Sequence, residues 1–561
     1  MKRSLAVALL AVLPVGAWNR EGPQRCEPWQ PCWPGPEAWK RLSQAVNGHL
    51  EVPRAAVPST NPYALQDQSG GTQSAGWLDA WTAAPSAWAV AAESAADVAA
   101  AVDFAREHNL RLVIKGTGHD YLGRSNAPDS LLVWTHKMRG IAVVDAFVPH
   151  GCPTTTKPVP AVTVEAGVRW GEAYEAVTVQ HGRYVQGGGC TSVGAAGGFL
   201  QGGGFGSWSK MYGVAAAGLL EAEVVTADGK VRVVNSCQNP DLFWALRGGG
   251  GGTFGVVTKA TLMTHPLPSF FGFVDGKITA KSDAAFEELI EHFLDFYRQK
   301  MSDEHWGEQV SFRKNNTLQL SLSFAGLNKS EAEQVWQPFR SWAEQHEDRF
   351  AIEMKVQQVP ADKMWNQAVI QKAAPEAILA DDRADAPPGH WWWKDDADQV
   401  GITWYAYQSR WVPLDRFVGQ EAKRFAHAVF QASRHRTVAF HFNKGQAGAA
   451  ADAIRRGRET SINPALFDAA ALVIIAAGGE PSAPEAKSAR DQVNAAMKLI
   501  RDATPGAGSY VNETDYFEAD WQRSFWGTNY PRLLEIKRQY DPKGLFFCHH
   551  CVGSEGSPAA R

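Results

Sequence analysis

The chain has 561 residues and a mass of 61.2 kDa, room for two to four domains at roughly 100–200 residues each. Hydrophobic residues make up 45% and charged residues 20%, which excludes a disordered or collagen-like chain. Lys plus Arg number 55 against 59 Asp plus Glu, a net charge of -4, and no basic cluster points to a nucleic-acid partner.

Residues 1–17 read as a secretory signal peptide. Lys2 and Arg3 are basic, residues 4–13 are mostly apolar, and Val15 and Ala17 precede a cleavage point ahead of Trp18. The apolar run is well short of the ~20 residues of a membrane span, and no later run is long enough. The expectation is a soluble protein, secreted or periplasmic, with no membrane partner. An exported protein tolerates disulfides, which gives meaning to Cys26, Cys32, Cys152, Cys190, Cys237, Cys548 and Cys551. Seven is odd, so at least one thiol has another fate. Cys26 and Cys32 are placed to close a small loop. Cys152 with Cys237 is a further candidate pair, although spacing does not fix connectivity. Cys190, inside a glycine run, suits a bridge poorly.

A Pro-rich leader over 18–79 contains a short amphipathic helix at 36–50. A strand at 88–91 precedes a helix at 94–108, with Val98, Ala101, Val102 and Ala105 at helical spacing. A strand at 112–114 then stops at Gly116 and Gly118. Glycine loops at the end of such strands commonly bind phosphates and cofactors. Strands at 131–134, 143–144 and 161–166 follow, then a helix at 171–180. Beyond the glycine-rich stretch 187–206, strands at 219–226 and 231–234 flank an Asp228-Gly229 turn. A short helix at 241–246 runs into Arg247 and five consecutive glycines, 248–252. A boundary falls near 266–268. From about 270 to 500 glycine thins out, and helices such as 284–298 and 331–346 alternate with strand-like pieces such as 317–324. Residues 387–396, containing Trp391-Trp392-Trp393, read as a loop. The last segment, from about 506, holds a strand at 509–512, a helix at 530–540 and a turn at Asp541-Pro542.

Three glycine loops thus lie within about 140 residues. None is followed by Gly-Lys-Ser/Thr, and none reads as the dinucleotide fingerprint opening a long helix. Their recurrence fits repeated close approach of backbone to a long phosphate-bearing ligand, held by backbone amides. Two reactive side chains sit in them: His119 in Lys115-Gly116-Thr117-Gly118-His119-Asp120-Tyr121, and Cys190 in Gly187-Gly188-Gly189-Cys190-Thr191-Ser192-Val193-Gly194. Taken singly, each reads as an ordinary loop histidine or buried thiol, and a Cys–His catalytic dyad is a third reading.

The His-Asp-Tyr loop and the Cys-x-x-Val-Gly-x-x-Gly-Gly loop, in this order and about 70 residues apart, resemble the berberine-bridge-enzyme-like flavoproteins of the vanillyl-alcohol-oxidase superfamily. The run from Asn239 to Gly250 looks like a third family element. Asn529-Tyr530-Pro531-Arg532-Leu533, with Ile536-Lys537 and Tyr540-Asp541-Pro542, looks like a C-terminal one. The resemblance covers roughly residues 80–555. It implies an α+β fold: a two-subdomain PCMH-type FAD-binding domain (80–268), an α/β substrate domain with an antiparallel sheet (269–505), and a C-terminal segment (506–561) returning to the FAD domain, on which the leader packs.

The resemblance further implies an FAD bonded at two points, His119 to the 8α methyl and Cys190 to C6. Cofactor contacts are expected from Lys115, Gly116, Thr117, Gly118 and Asp120 in the first loop, and from Gly189, Thr191, Val193, Gly194, Gly197 and Gly198 in the second. Gly203, Gly204 and Gly206, then Gly255, Val256 and Val257, and finally Asn529 complete the set. Two links would keep the flavin on an exported enzyme and raise its reduction potential, with the redox chemistry left to the cofactor. Val193 is of the small, oxygen-permissive kind near C4a. Tyr212 and Tyr121 match family tyrosines. Glu513 stands where the family commonly has an active-site tyrosine, and strand alternation over 509–512 would set Glu513 and Val511 on the face opposite Tyr510 and Asn512. As base, Glu513 would be partly buried with a raised pKa, and Tyr212 would hydrogen-bond the developing alkoxide. This chain has Phe546-Phe547-Cys548-His549-His550-Cys551 near its end, where the family often has Pro-Gln; the spacing favours disulfides over a zinc site.

The expected activity is a secreted oxidase that takes hydride from an alcohol, a sugar or oligosaccharide foremost, and passes electrons to O2. An amine oxidase of the hydroxynicotine-oxidase type and a non-enzymatic flavin- or carbohydrate-binding protein are the alternatives. The substrate itself and the oligomeric state are not legible.

Overall fold

A computed structural model describes residues 24–387 and 389–555; the signal peptide expected over 1–17 lies outside them. The first sheet follows from the strand–helix–strand start of the sequence. Trp88–Ala91 and Arg111–Lys115 flank Ser130–Trp134 in parallel, and Leu50–Glu51 adds an antiparallel edge. The crossover helix Ala95–Glu107 begins at a capping box, in which the Ser94 hydroxyl accepts from the Asp97 amide and the Asp97 carboxylate accepts from the Ser94 amide. Val98, Ala101, Val102 and Ala105 are buried against the sheet, as their spacing requires.

The second sheet is antiparallel, ordered Val231–Asn235, Leu219–Val225, Val256–Pro266, Val159–Glu165 and Ile141–Phe147, with Arg183–Val185 pairing the far end of Val256–Pro266. The third has nine strands. Its central members Trp306–Arg313, Val438–His441, Ala469–Gly479 and Thr403–Pro413 are antiparallel neighbours. Helices Asp283–Lys300, Gly419–His435 and Ala486–Ala503 cover one face. Strand alternation divides Ala469–Gly479 between two cores: Val473, Ile475 and Ala477 pack under those helices, while Leu472 and Ile474 face the FAD-side core. The whole is α+β, as expected.

The leader differs from expectation. Leu50–Glu51 joins the first sheet, but Gly76–Trp77 pairs in parallel with Thr403 and Trp404 at the edge of the nine-stranded sheet. The leader helix is shorter than its pattern, Pro36–Ala45, because Asn47 and Gly48 take positive φ and end it. The helix expected at 171–180 is one α-turn, Trp170–Tyr174, continued as a π-helix, Glu175–Gln180. The tryptophan run is not a loop: Trp391–Trp393 pairs with Ile378–Ala380, and a 3-10 helix, Lys394–Gln399, follows. Residues 509–512 are not a strand. They turn back through a single bridge, Tyr510 with Glu513, so face alternation does not apply there.

Three disulfides form: Cys26–Cys32, Cys152–Cys237 and Cys548–Cys551, leaving Cys190 as the free thiol. The C-terminal helix Tyr530–Tyr540 is pinned to the third glycine loop by a buried lysine. Lys537 donates to the Thr253 carbonyl (2.7 Å), the Phe546 carbonyl (2.6 Å) and Asp541 (2.6 Å), which fills its three donors. No helix among the described residues is long and apolar enough to cross a membrane.

Candidate active site

A cavity of about 1250 Å³ opens between the glycine loops and the uncovered face of the nine-stranded sheet. His119 and Cys190 both line it. Gly118 has φ +75°, and a Cβ there would lie 3.2 Å from the Lys115 side chain and 3.3 Å from the Gly71 carbonyl. Only glycine makes this turn without strain, and the turn delivers His119. Burial holds the His119 imidazole down at about 4, so it is neutral and has a free ring nitrogen near pH 7. Burial, followed by the nearby Asp396 carboxylate, pushes the Cys190 thiol well above its usual range.

The glycines are of two kinds. Gly251 is a close-approach position: a Cβ there would lie 2.7 Å from Gly198 Cα, so the second and third loops touch. Gly189, Gly197 and Gly198 line the cavity with no protein atom within 4 Å of an added Cβ. Side chains there would project into space the fold keeps clear. A long channel walled by backbone, with a neutral imidazole and a free thiol at its side, fits an FAD.

Most expected site residues converge. Gly116, Thr117, Gly118, Asp120 and Tyr121 line the cavity from the first loop, and Gly189, Val193, Gly194, Gly197, Gly198 and Gly206 from the second. Gly255, Val257 and Glu513 also line it. Asp120 additionally closes its own loop, accepting from the amides of Leu122 and Arg124 and from the Arg124 guanidinium. The Tyr121 hydroxyl donates to Gln399 Oε1 at 2.7 Å, and its ring packs against Trp404 and Tyr407.

Seven expected residues do not line this cavity. Lys115 points beneath its loop, where its buried ammonium donates to the carbonyls of Gln68 (3.1 Å) and Gly71 (2.9 Å). Thr191 turns to the Trp391 carbonyl and the Tyr63 hydroxyl. Gly203 and Gly204 lie behind the wall, where the amides of Ala216 and Ala215 reach their carbonyls. Val256 belongs to the core of the first sheet. Asn529 donates to the Ile462 carbonyl. Tyr212 packs between Tyr184 and His265, ring centroids 4.6 and 4.8 Å away, and burial pushes its hydroxyl up to about 12. Glu513, expected as a partly buried base, is ion-paired with Lys444.

Several site residues were missed. Asp396 gives no sequence signal: it follows the tryptophan run in a segment read as a loop, yet it lines the cavity with Cys190 and its carboxylate acts on the thiol. Burial raises that carboxyl to about 6. Glu308, whose carboxyl burial also raises, accepts from the Ser207 hydroxyl. Lys444, Tyr407 and Trp393 join the wall from the substrate side. The pairing of Lys444 with Glu513 links residues 69 apart, and no local pattern announces it.

Comparison with known proteins agrees with this arrangement. Residues 86–235 match the family model "FAD binding domain", and residues 509–553 match "Berberine and berberine like". The FAD-linked oxidoreductase easE of Trichophyton verrucosum is 32% identical over 606 residues, covering 98% of this chain and 94% of its own length. The structure of the VAO-type flavoprotein MtVAO615 from Myceliophthora thermophila C1 superposes with a TM-score of 0.74 at 26% identity, covering 95% and 97% of the two chains. The glucooligosaccharide oxidase of Acremonium strictum shares the fold, with a TM-score of 0.67 at 22% identity over 84% and 92%. Cavity, glycine loops and relatives together make this chain an FAD-linked oxidoreductase of the vanillyl-alcohol-oxidase family, in its berberine-bridge-enzyme-like branch.

Proposed function

We propose that this protein is an exported oxidase with FAD bonded to both His119 and Cys190, acting on an alcohol, with a sugar or oligosaccharide hydroxyl the leading substrate class. The observation that carries the reading is the convergence of a neutral histidine and the free cysteine on one glycine-walled cavity. The fold neighbour from Acremonium strictum has a 6-S-cysteinyl, 8α-N1-histidyl FAD. Chitooligosaccharide oxidase and a carbohydrate oxidase from Microdochium nivale share the fold as well. The bound flavin supplies the hydride acceptor and passes the electrons to O2, giving H2O2.

The chain's own residues account for positioning and proton handling. Trp393, Trp404 and Tyr407 offer flat apolar walls against which a sugar ring stacks. Glu513 accepts the proton of the reacting hydroxyl, and the Lys444 ammonium beside it stabilises the negative charge that develops there. Tyr121, anchored by Gln399, fixes the wall next to His119. Tyr212 takes no direct part, because it does not reach the cavity. Val193 leaves open the space next to the cysteine loop that oxygen needs.

The test is acid denaturation followed by peptide mapping, alongside peroxide release across sugars, simple alcohols and cyclic amines. Flavin mass on one peptide from each loop, with peroxide from sugars, supports the reading. Free FAD in the acid supernatant removes the two-point attachment, and peroxide from amines alone moves the substrate class.

A further inference from the structure

Asp396, in the segment Lys394–Gln399, has no part in the chemistry above, yet it lines the cavity with the free thiol. We propose that Asp396 is the base that takes the proton from Cys190 when its sulfur is bonded to the flavin ring, an inference that rests on the two-point attachment.

Four observations carry it. Cys190 and Asp396 line the same cavity, close enough that the carboxylate helps to hold the thiol above its usual range. The Asp396 Oδ2 atom is shut off from solvent and has no hydrogen-bond partner among the described residues. A buried, unpartnered carboxylate oxygen is costly, and such exceptions call for an explanation. No ion pair to Asp396 is found among the described residues; of the cations lining the cavity, Lys444 is taken by Glu513. Finally, the segment is anchored on both sides of Asp396. The Trp393 indole donates to the Gly189 carbonyl at 3.1 Å, and Gln399 accepts from the Tyr121 hydroxyl at 2.7 Å. The carboxylate is therefore aimed at the cysteine loop by its neighbours, as a preorganised catalytic group must be.

The chemistry needs such a group. The thiolate is the nucleophile, and burial suppresses its formation at Cys190. A carboxyl near 6 is mostly ionised at pH 7 yet basic enough to share a proton. In the step itself the S–H bond breaks, with its proton passing to Asp396, and the S–C6 bond forms. The hydrogen on C6 leaves as a proton while its bonding pair stays on the ring, so the flavin gains two electrons. Dioxygen then takes two electrons and two protons and leaves as H2O2, which restores the oxidised ring and the Asp396 carboxylate. One thioether costs one O2 and yields one H2O2.

The experiment uses full-length protein and reads linkage, not turnover. Wild type, Asp396→Asn and Asp396→Glu are purified, held in oxygenated buffer at pH 6 and pH 9, and sampled for flavin mass on the His119 and Cys190 peptides. Flavin retained on His119 shows that a variant is folded and loaded; should Asp396→Asn not load, Asp396→Ser gives the same reading. At pH 6 the Asn variant is expected to acquire the Cys190 link at least ~10²-fold more slowly than wild type. From pH 6 to pH 9 linkage in the Asn variant should speed up with the thiolate fraction but stay slower than wild type, because burial still holds the thiol above its usual range, and the Glu variant should link at both pH values. An Asn variant that links at the wild-type rate at pH 6 overturns the role of Asp396. Wild-type protein with no flavin on the Cys190 peptide overturns the two-point attachment instead.

Discussion

The Trp393 indole N–H donates to the carbonyl of Gly189, the residue just before Cys190, at 3.1 Å. One hydrogen bond thus joins the substrate-side segment to the cofactor loop at the point where the flavin edge would lie. The substrate-side and cofactor-side walls of the cavity meet there.

Glu513→Gln should slow anaerobic reduction of the flavin by substrate by about 10²–10⁴, the usual worth of a general base, with reoxidation by O2 little changed. Lys444→Met should lower the same step while leaving the flavin bound, because the ammonium that stabilises the charge developing at the reacting hydroxyl is then gone. Rapid-mixing absorbance measures both half-reactions. Reduction of Glu513→Gln at the wild-type rate would remove Glu513 from the mechanism.

On the proposed reading the oxygen step depends on a different residue. Val193 lines the cavity, and its backbone is fixed by the bond from the Trp170 amide to its carbonyl at 2.9 Å. An extra methylene there has little freedom to move aside. Val193→Leu should reoxidise several-fold more slowly at air saturation with its reductive step intact. A reduced wild-type enzyme that survives in air would refute the oxygen-access reading.

How much of this was legible in the sequence depends on the range of the signal. The first sheet and its helix were readable because period is local, and Val98, Ala101, Val102 and Ala105 are buried where their spacing places them. His119 and Cys190 were readable because glycine loops mark them. Asp396 and Lys444 were not, since each acts on a partner far along the chain, and a carboxylate after three tryptophans carries no period. Residues 509–512 failed for a related reason: β-prone residues in a short run look like a strand, but here the chain folds back on itself at Tyr510 and Glu513. Tyr212 was placed by resemblance alone, and the side chain turns toward His265.

The Cys152–Cys237 disulfide closes a loop over 85 positions of the second sheet's chain. Cys152→Ser with Cys237→Ser should lower stability by about 2–4 kcal/mol through the loop entropy regained on unfolding. Denaturant midpoints compare the two proteins. Unchanged midpoints would mean that the surrounding strands alone define this corner.

His390 makes stability depend on pH. It is buried and stacked on Tyr63 at 4.2 Å, with Arg169, Arg139, Asp381 and Glu172 around it. Burial, then repulsion from Arg169 and Arg139, lowers its pKa to about 4. The unfolded chain takes up this proton near pH 6.5, so it binds more protons than the native state between about 6.5 and 4. Stability therefore falls as pH falls through that window, by at most about 1.4 kcal/mol per pH unit for this one group. Denaturation at pH 7 and pH 5 should show the loss, and His390→Gln should make it shallower. Equal slopes would mean other histidines dominate.

The leader is woven into two sheets, at Leu50–Glu51 in the first and at Gly76–Trp77 in the nine-stranded one. It acts as a strap across the seam between cofactor and substrate sides. Cofactor side and substrate side are thus stitched together by one stretch of chain that precedes both, so trimming this leader would loosen an edge of each sheet at once.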